Sequence, residues 1–160
     1  MHAGPSLTLA PISADADEIV GLYRDPYVAR VADDDAPAEP LTSGAYLGAW
    51  VDRAFVGAYL LIESAARCVD VHSLLTRAAL PYCRLLGRIC LDCVFQQSDA
   101  YRVTAYVRED MASAINYCKR LGFVAEGVMR DACRKHGRLM GVHVLGMTRT
   151  DWAASAARGA

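Results

Sequence analysis

One stretch limits the possible folds of this chain most strongly, because strand, helix and strand patterns follow one another between residues 68 and 107. Residues 68–75 and 101–107 are rich in β-branched and alternating apolar residues, a pattern typical of strands. Residues 81–95 between them predict a helix, with its apolar positions at helical spacing: Leu85, Leu86, Ile89, Cys90, Cys93 and Val94. This order predicts a right-handed crossover that joins two parallel strands. We therefore expect an α/β protein.

The segments before this crossover also have readable patterns. Residues 6–12 predict a first strand, and Ser13 is the expected N-cap of a helix that follows it. Residues 45–51 and 54–62 predict two more strands, which form an antiparallel meander with the strand over residues 68–75. The acidic, proline-containing stretch before the meander predicts a loop.

After the crossover, residues 110–121 predict a second helix, with Asp110 as its N-cap and Gly122 as its C-terminal stop. Residues 123–130 and 139–148 predict a last pair of strands, which turn near His136 and Gly137. The small and polar residues 153–160 predict a frayed tail. With neither a repeat nor a composition change, residues 1–160 form one predicted domain.

Composition narrows the range of partners. The net charge is -1 and the arginines are scattered, so the sequence has no basic surface suited to nucleic acid. Although 54% of the residues are hydrophobic, no apolar run approaches the roughly 20 residues that cross a bilayer. The first residues lack the pattern of a secretory signal. We therefore expect a cytoplasmic protein that acts on small molecules or proteins.

Two sequence features, one of cysteines and one of acidic residues, raise the alternative of a metal or redox site. Cys90 and Cys93 have the spacing of a redox or zinc motif, but they lie in an apolar helix and no second ligand pair follows. The run Asp33-Asp34-Asp35 is more consistent with a solvated loop than with a chelating site. We expect reduced, mostly buried thiols and no metal.

The second half of the chain carries a family resemblance. Residues 110–123 end in Leu121-Gly122-Phe123 and are followed by Glu126-Gly127 and Arg130, and this helix and strand resemble the late unit of the GNAT superfamily of N-acetyltransferases. The closing residues 146–152 resemble the last strand of the branch that acetylates protein N-termini and similar amines. The resemblance implies a mixed, mostly antiparallel central sheet with one parallel, splayed strand pair and helices on both faces.

The same resemblance implies acetyl-CoA as co-substrate and a location for it. The pantetheine arm would lie in the cleft between the splayed strands 68–75 and 101–107, and the pyrophosphate would lie at the start of the next helix. The implied contacts are Ser73, Leu74, Leu75, Arg77, Ala78, Ala79, Leu80, Tyr82 and Met111. Leu80 and Tyr82 stand where the family has small residues, and Pro81 between them lacks an N–H.

Acetyl transfer to an amine needs a group that removes the proton from the amine and a group that protonates the leaving thiolate. His72 and Glu63 are the candidate bases, and Asp70 would lie beside His72 on one face of the strand. Cys118 stands where the resemblance implies a proton-donating Tyr, and Met111 where it implies Asn. Tyr117 is expected at the surface or in an interface. Arg130 and Arg134 could contact an acidic substrate or the phosphates of the coenzyme, and His143 could act as a base, but an exposed surface position is favoured for all three.

Two functions remain open at this point. The first is direct transfer of an acetyl group from acetyl-CoA to a primary amine in a ternary complex. The second is a catalytically inactive GNAT-fold module that acts through protein partners, which the unusual residues Leu80, Tyr82, Met111 and Cys118 would explain. The apolar strands also allow a homodimer.

Overall fold

A computed structural model describes residues 4–31, 35 and 38–157 of the chain, and the backbone alone at residue 158. The first half contains β1 (Leu7–Ile12), α1 (Asp17–Arg24), α2 (Pro26–Ala29), β2 (Ala45–Val51), β3 (Ala54–Ala65) and β4 (Cys68–Leu75). A short 3-10 helix (Arg77–Tyr82) leads into the second half, which contains α3 (Cys83–Gln97), β5 (Arg102–Arg108), α4 (Ala112–Leu121), β6 (Val124–Lys135), β7 (Arg138–Thr148) and α5 (Arg149–Arg158).

A seven-stranded sheet organises the described residues, in the order β1-β2-β3-β4-β5-β7-β6. All neighbouring strands are antiparallel except β4 and β5, which are parallel. The predicted meander and the predicted parallel pairing across the crossover are therefore both confirmed. The turn at His136 and Gly137 is confirmed as well, and both residues have positive φ angles, of 52° and 71°.

Helices cover both faces of the sheet. On one face, α3 and α4 pack against β5 and β7 around Phe95, Val103, Leu121 and Met147. On the other face, α1 and α2 pack against β2 and β3 through a second apolar cluster that includes Ile19, Leu22, Val28 and Leu60. The described part of the chain contains no helix that is long and apolar enough to cross a membrane.

Two capping predictions are wrong. Helix α1 begins only at Asp17, and the hydroxyl of Ser13 donates to the carboxylate of Asp15 instead of capping the helix. Helix α4 begins after Met111, and the carboxylate of Asp110 binds the guanidinium of Arg108. In both cases a nearby side chain bonds the polar group that was expected to cap the helix.

The predicted frayed tail is also wrong, because it belongs to helix α5. Trp152 stacks on Phe95 with 5.4 Å between ring centroids, and its indole N–H donates to Asp92 at 2.7 Å. These contacts with α3 supply the packing that the small residues of the tail cannot supply by themselves. Residues 159–160 lie outside the described part.

Candidate functional site

A gap opens in the sheet between the two parallel strands. Strand β4 pairs with β5 only from Cys68 to Asp70, opposite Arg102 to Thr104. Beyond this point β4 stays paired with β3 as far as Leu75, and β5 stays paired with β7 as far as Arg108. Because each strand follows its antiparallel neighbour, the two strands diverge, as the resemblance implied.

Gly57 allows β3 to hold β4 closely at the open end of the gap. Its φ angle is 148°, and a Cβ at this position would lie 2.5 Å from the carbonyl oxygen of Leu74. An L-residue with a side chain would both strain the backbone and push β4 toward β5. The width of the gap therefore depends on glycine at position 57.

A cavity of about 440 Å³ occupies the gap and extends beneath α1 and α2. Strand β4 lines it with Val71, His72, Ser73 and Leu74, and strand β5 with Ala105, Tyr106, Val107 and Arg108. Met111, Ala114, Tyr117 and Cys118 line it from α4 and from the residue before α4. The cavity is thus lined by residues from both faces of the sheet.

Side-chain alternation divides the cavity into two halves. Val71, Ala105 and Val107 pack in or against the cluster on the α3 and α4 face. Leu74 belongs to the cluster on the α1 and α2 face, and His72, which pairs with Leu60, shares that face. We call these the thiol half, where Cys118 lies, and the amine half, where His72 lies.

His72 is the only predicted base among the residues that line this cavity within the described chain. It is half-buried, and its imidazole makes no hydrogen bond to another described residue. Asp70 accepts instead from the hydroxyl of Ser64 at 2.9 Å. Glu63 is exposed near the closed end of the gap, where its carboxylate accepts from the backbone N–H of Arg67 at 3.3 Å.

Cys118 is buried and faces the cavity from α4. Burial raises the pKa of its thiol to about 11, because removing water disfavours the thiolate. Cys118 therefore carries a proton at neutral pH. Met111 lies directly before the same helix and lines the cavity as well.

The surface or interface position predicted for Tyr117 is wrong. Its hydroxyl donates to the carbonyl oxygen of Cys83 at 3.1 Å and lies 3.3 Å from the hydroxyl of Tyr59. Burial raises the pKa of both tyrosines. Gly87 makes this contact possible, since a Cβ there would lie 2.3 Å from the Tyr117 hydroxyl. A glycine in the middle of a predicted helix was the available sequence signal.

The segment predicted to surround the pyrophosphate follows the cleft strand directly. Thr76 fixes its start, because its backbone N–H and its hydroxyl both donate to the carbonyl oxygen of Val56, at 3.0 and 2.9 Å. Of the nine predicted contacts of the co-substrate, Ser73, Leu74 and Met111 line the cavity. Leu75, Arg77, Ala78, Leu80 and Tyr82 lie beyond it, and the side chain of Ala79 is fully buried in the core.

Two arginines lie against the same tyrosine ring. The guanidinium carbon of Arg77 lies 5.2 Å from the ring centroid of Tyr27, and that of Arg30 lies 4.0 Å from the same ring. The ring holds both cations through its electron-rich π system. Sequence reasoning found Arg77 but missed Arg30, which is far from it along the chain.

Arg108 is a second residue that sequence reasoning missed. It is only 4% exposed and ends β5 at the cavity wall. Its guanidinium donates to Asp110 at 2.7 Å and to the carbonyl oxygen of Arg30 at 3.3 Å. The guanidinium of Arg108 holds the pKa of Asp110 below its usual range. The short spacing of Arg and Asp at the end of a strand was the only signal.

The remaining candidates lie away from the cavity. Cys90 is buried in the core, where burial raises its thiol pKa, and no group of three potential metal ligands occurs among the described residues. Asp35 accepts from the backbone N–H groups of His136 and Gly137, at 2.7 and 3.0 Å, and Asp33 and Asp34 lie outside the described part. Arg130 and Arg134 are exposed on β6, and His143 is half-buried on β7.

This architecture, with its one splayed parallel strand pair, is a GNAT-like fold. Among solved structures, a spermidine N-acetyltransferase from Vibrio cholerae in complex with CoA and spermine aligns with a TM-score of 0.80 at 17% identity, over 92% of this chain and 98% of that chain. A protein from Acinetobacter baylyi ADP1, provisionally named an acetyltransferase, aligns with a TM-score of 0.75 at 13% identity, over 91% of this chain and 94% of that chain. No protein family and no curated protein matches the sequence.

Proposed function

We propose that this protein transfers an acetyl group from acetyl-CoA to a primary amine. The observation that carries the proposal is the cavity in the gap between β4 and β5, which reaches both faces of the sheet. An acyl donor and an amine that enter from opposite faces can meet only in such an opening. Spermidine N-acetyltransferases of similar fold, one of them in complex with CoA, support the proposed transfer.

The unpaired edge of β4 is the proposed binding edge for the pantetheine arm. Past Asp70 this edge no longer bonds β5, so its backbone groups from Val71 to Leu75 are available on the side of the gap. An extended arm with amide groups satisfies such an edge as another strand would. The apolar walls formed by Ala105 and Val107 suit the aliphatic part of the arm.

Arg77 and Arg30 are the proposed partners of the phosphate groups. Both cations lie against Tyr27, close to the segment that follows the cleft strand. A guanidinium recognises phosphate through paired N–H donors, and this contact does not require small residues in the backbone turn. The arginine pair thus compensates for Leu80 and Tyr82 in a turn where glycine is common.

In the proposed reaction, His72 accepts a proton from the amine nitrogen as that nitrogen attacks the thioester carbonyl carbon. Imidazole is suited to accept a proton at neutral pH. The new C–N bond forms as the C–S bond breaks, and the electron pair of the C–S bond leaves on the CoA sulfur. His72 takes part from the amine half of the cavity, and the sulfur leaves in the thiol half.

Cys118 is the proposed donor to the leaving sulfur. An ordinary thiol has a pKa of about 8.5, so full transfer of the Cys118 proton to CoA is uphill. We therefore assign Cys118 a hydrogen bond to the departing thiolate, which takes its final proton from water. On this basis Cys118→Ala should lower kcat by less than about tenfold, whereas loss of the base should cost about a hundredfold or more.

The deciding experiment has two stages. Calorimetric titration with acetyl-CoA tests whether the chain binds the co-substrate, and release of the CoA thiol with a panel of primary amines tests transfer. His72→Ala should abolish most of the transfer, with His143→Ala as the matched control on a half-buried histidine outside the cavity lining. Absence of acetyl-CoA binding at millimolar ligand would instead support the inactive, partner-binding module.

A further inference from the structure

The amine half of the cavity has mostly apolar walls. They come from α1, α2, the segment before β2 and the facing strand β3, and include Val28, Val31, Ala38, Leu41 and Leu60. Tyr23 adds an aromatic face. An acceptor that enters here exchanges contact with water for contact with hydrocarbon, which favours an acceptor with an apolar body.

The charges around this half are few. Glu39 is the one acidic residue among the described residues that line the cavity. Arg108 is the one basic residue among them apart from His72, and its guanidinium is bonded to Asp110 and to the carbonyl oxygen of Arg30. Glu39 is exposed, so its carboxylate meets the entering ligand at the solvent side.

A polyamine carries several ammonium groups, and each one that leaves water needs a paired anion. Among the described lining residues, Glu39 can pair with one ammonium group. Arg108, whose guanidinium is already bound to Asp110, offers no anion to a second ammonium group. A monoamine avoids this penalty, because Glu39 attracts its single ammonium group and the apolar walls then hold its body. The apolar walls and the single lining carboxylate thus both favour a monoamine with an apolar body.

We infer that the acceptor is a primary monoamine with an apolar aliphatic or aromatic body, and that Glu39 and Leu41 select it over a polyamine. This inference rests on the proposed function, because the acceptor is the amine that would receive the acetyl group. It concerns binding in the amine half alone, so it is tested without turnover.

The test is calorimetric titration of the chain, saturated with CoA, with 2-phenylethylamine, hexylamine and spermidine. CoA has no acetyl group to transfer, so the measurement reports binding only. We expect the two monoamines to bind at least about tenfold more tightly than spermidine. Spermidine binding of equal or greater strength, or no binding by either monoamine, would overturn the inference.

Two variants separate the contribution of the apolar wall from that of Glu39. Leu41→Ala should weaken the binding of 2-phenylethylamine several-fold. Leu85→Ala should leave this binding unchanged, because Leu85 has a similar exposure but lies on α3, outside the cavity lining. Glu39→Gln should weaken the binding of all three amines and reduce the salt dependence of that binding. If Leu41→Ala and Leu85→Ala behave alike, the apolar wall does not select the acceptor.

The outcomes also separate this inference from the proposed function. If the monoamines bind but no acetylated product forms with acetyl-CoA, the proposed transfer fails and the binding inference stands. If spermidine is acetylated with the higher kcat/KM, the transfer stands and the inference fails.

Discussion

The hydroxyl groups of Tyr23 and Tyr46 lie 2.8 Å apart, and that of Tyr46 also accepts from the backbone N–H of Leu41 at 2.9 Å. This chain of bonds joins α1, β2 and the segment that walls the amine half of the cavity. Burial, followed by the bond to Tyr46, raises the pKa of Tyr23. The segment is therefore held by partly buried hydrogen bonds as well as by apolar packing.

Tyr46→Phe should lower the free energy of unfolding by about 1 to 3 kcal/mol, because it leaves the Tyr23 hydroxyl and the Leu41 N–H without their partner. Chemical denaturation measures the loss. Tyr101→Phe is the control, since Tyr101 is 57% exposed and its hydroxyl bonds only a surface arginine. Equal losses in the two variants would contradict the role of the Tyr23–Tyr46 pair.

Gly57→Ala should lower the free energy of unfolding by about 2 kcal/mol or more, because the new Cβ meets the Leu74 carbonyl oxygen and the φ angle is positive. It should also weaken acetyl-CoA binding by narrowing the gap. Gly127→Ala is the control, since a Cβ at Gly127 meets no atom within 4 Å. A Gly57→Ala protein of normal stability and affinity would show that the gap does not depend on this contact.

Alkaline pH should destabilise the protein partly through Cys118. Its folded pKa, about 11, lies above the ordinary value, so its contribution is complete below about pH 8.5 and is lost as pH rises toward 11. Unfolding measured between about pH 8 and pH 11 should therefore show a smaller decline for Cys118→Ala than for the parent chain. The control is Cys83→Ala, a half-buried cysteine. An unchanged decline in Cys118→Ala would contradict this assignment.

Arg149→Met should lower the free energy of unfolding by about 2 to 4 kcal/mol. The guanidinium donates to the carbonyl oxygens of Phe95, Ser98 and Ala100, at 2.6, 2.8 and 3.0 Å, at the end of α3. Arg149→Lys should lose less, because an ammonium group can still satisfy some of these carbonyls. Arg84→Met changes an exposed arginine on the same helix and should have little effect, and a similar loss there would argue against a specific cap.

Much of the secondary structure could be predicted because it depends on local pattern. Strands β2 and β4 have the predicted bounds, and the helix that ends at Leu121 stops at Gly122, whose φ angle is 105°. Prediction from local pattern failed where a side-chain contact that the pattern does not encode competed with it. Trp152 makes the tail helical by docking on α3, and Arg108 takes the carboxylate expected to cap α4.

The sequence by itself determined the order of strands and helices, the parallel crossover and the position of His72 on the strand beside the gap, since periodicity and turn residues encode these locally. Only the tertiary structure decided which side chains share the cavity. It brought His72 and Cys118 to one cavity, left Glu63 on β3 opposite Val69 and outside the cavity lining, and added Glu39 and Arg108 from distant segments. The physical reason is that a site depends on where strands part and which faces pack together, and no single stretch of sequence contains that information.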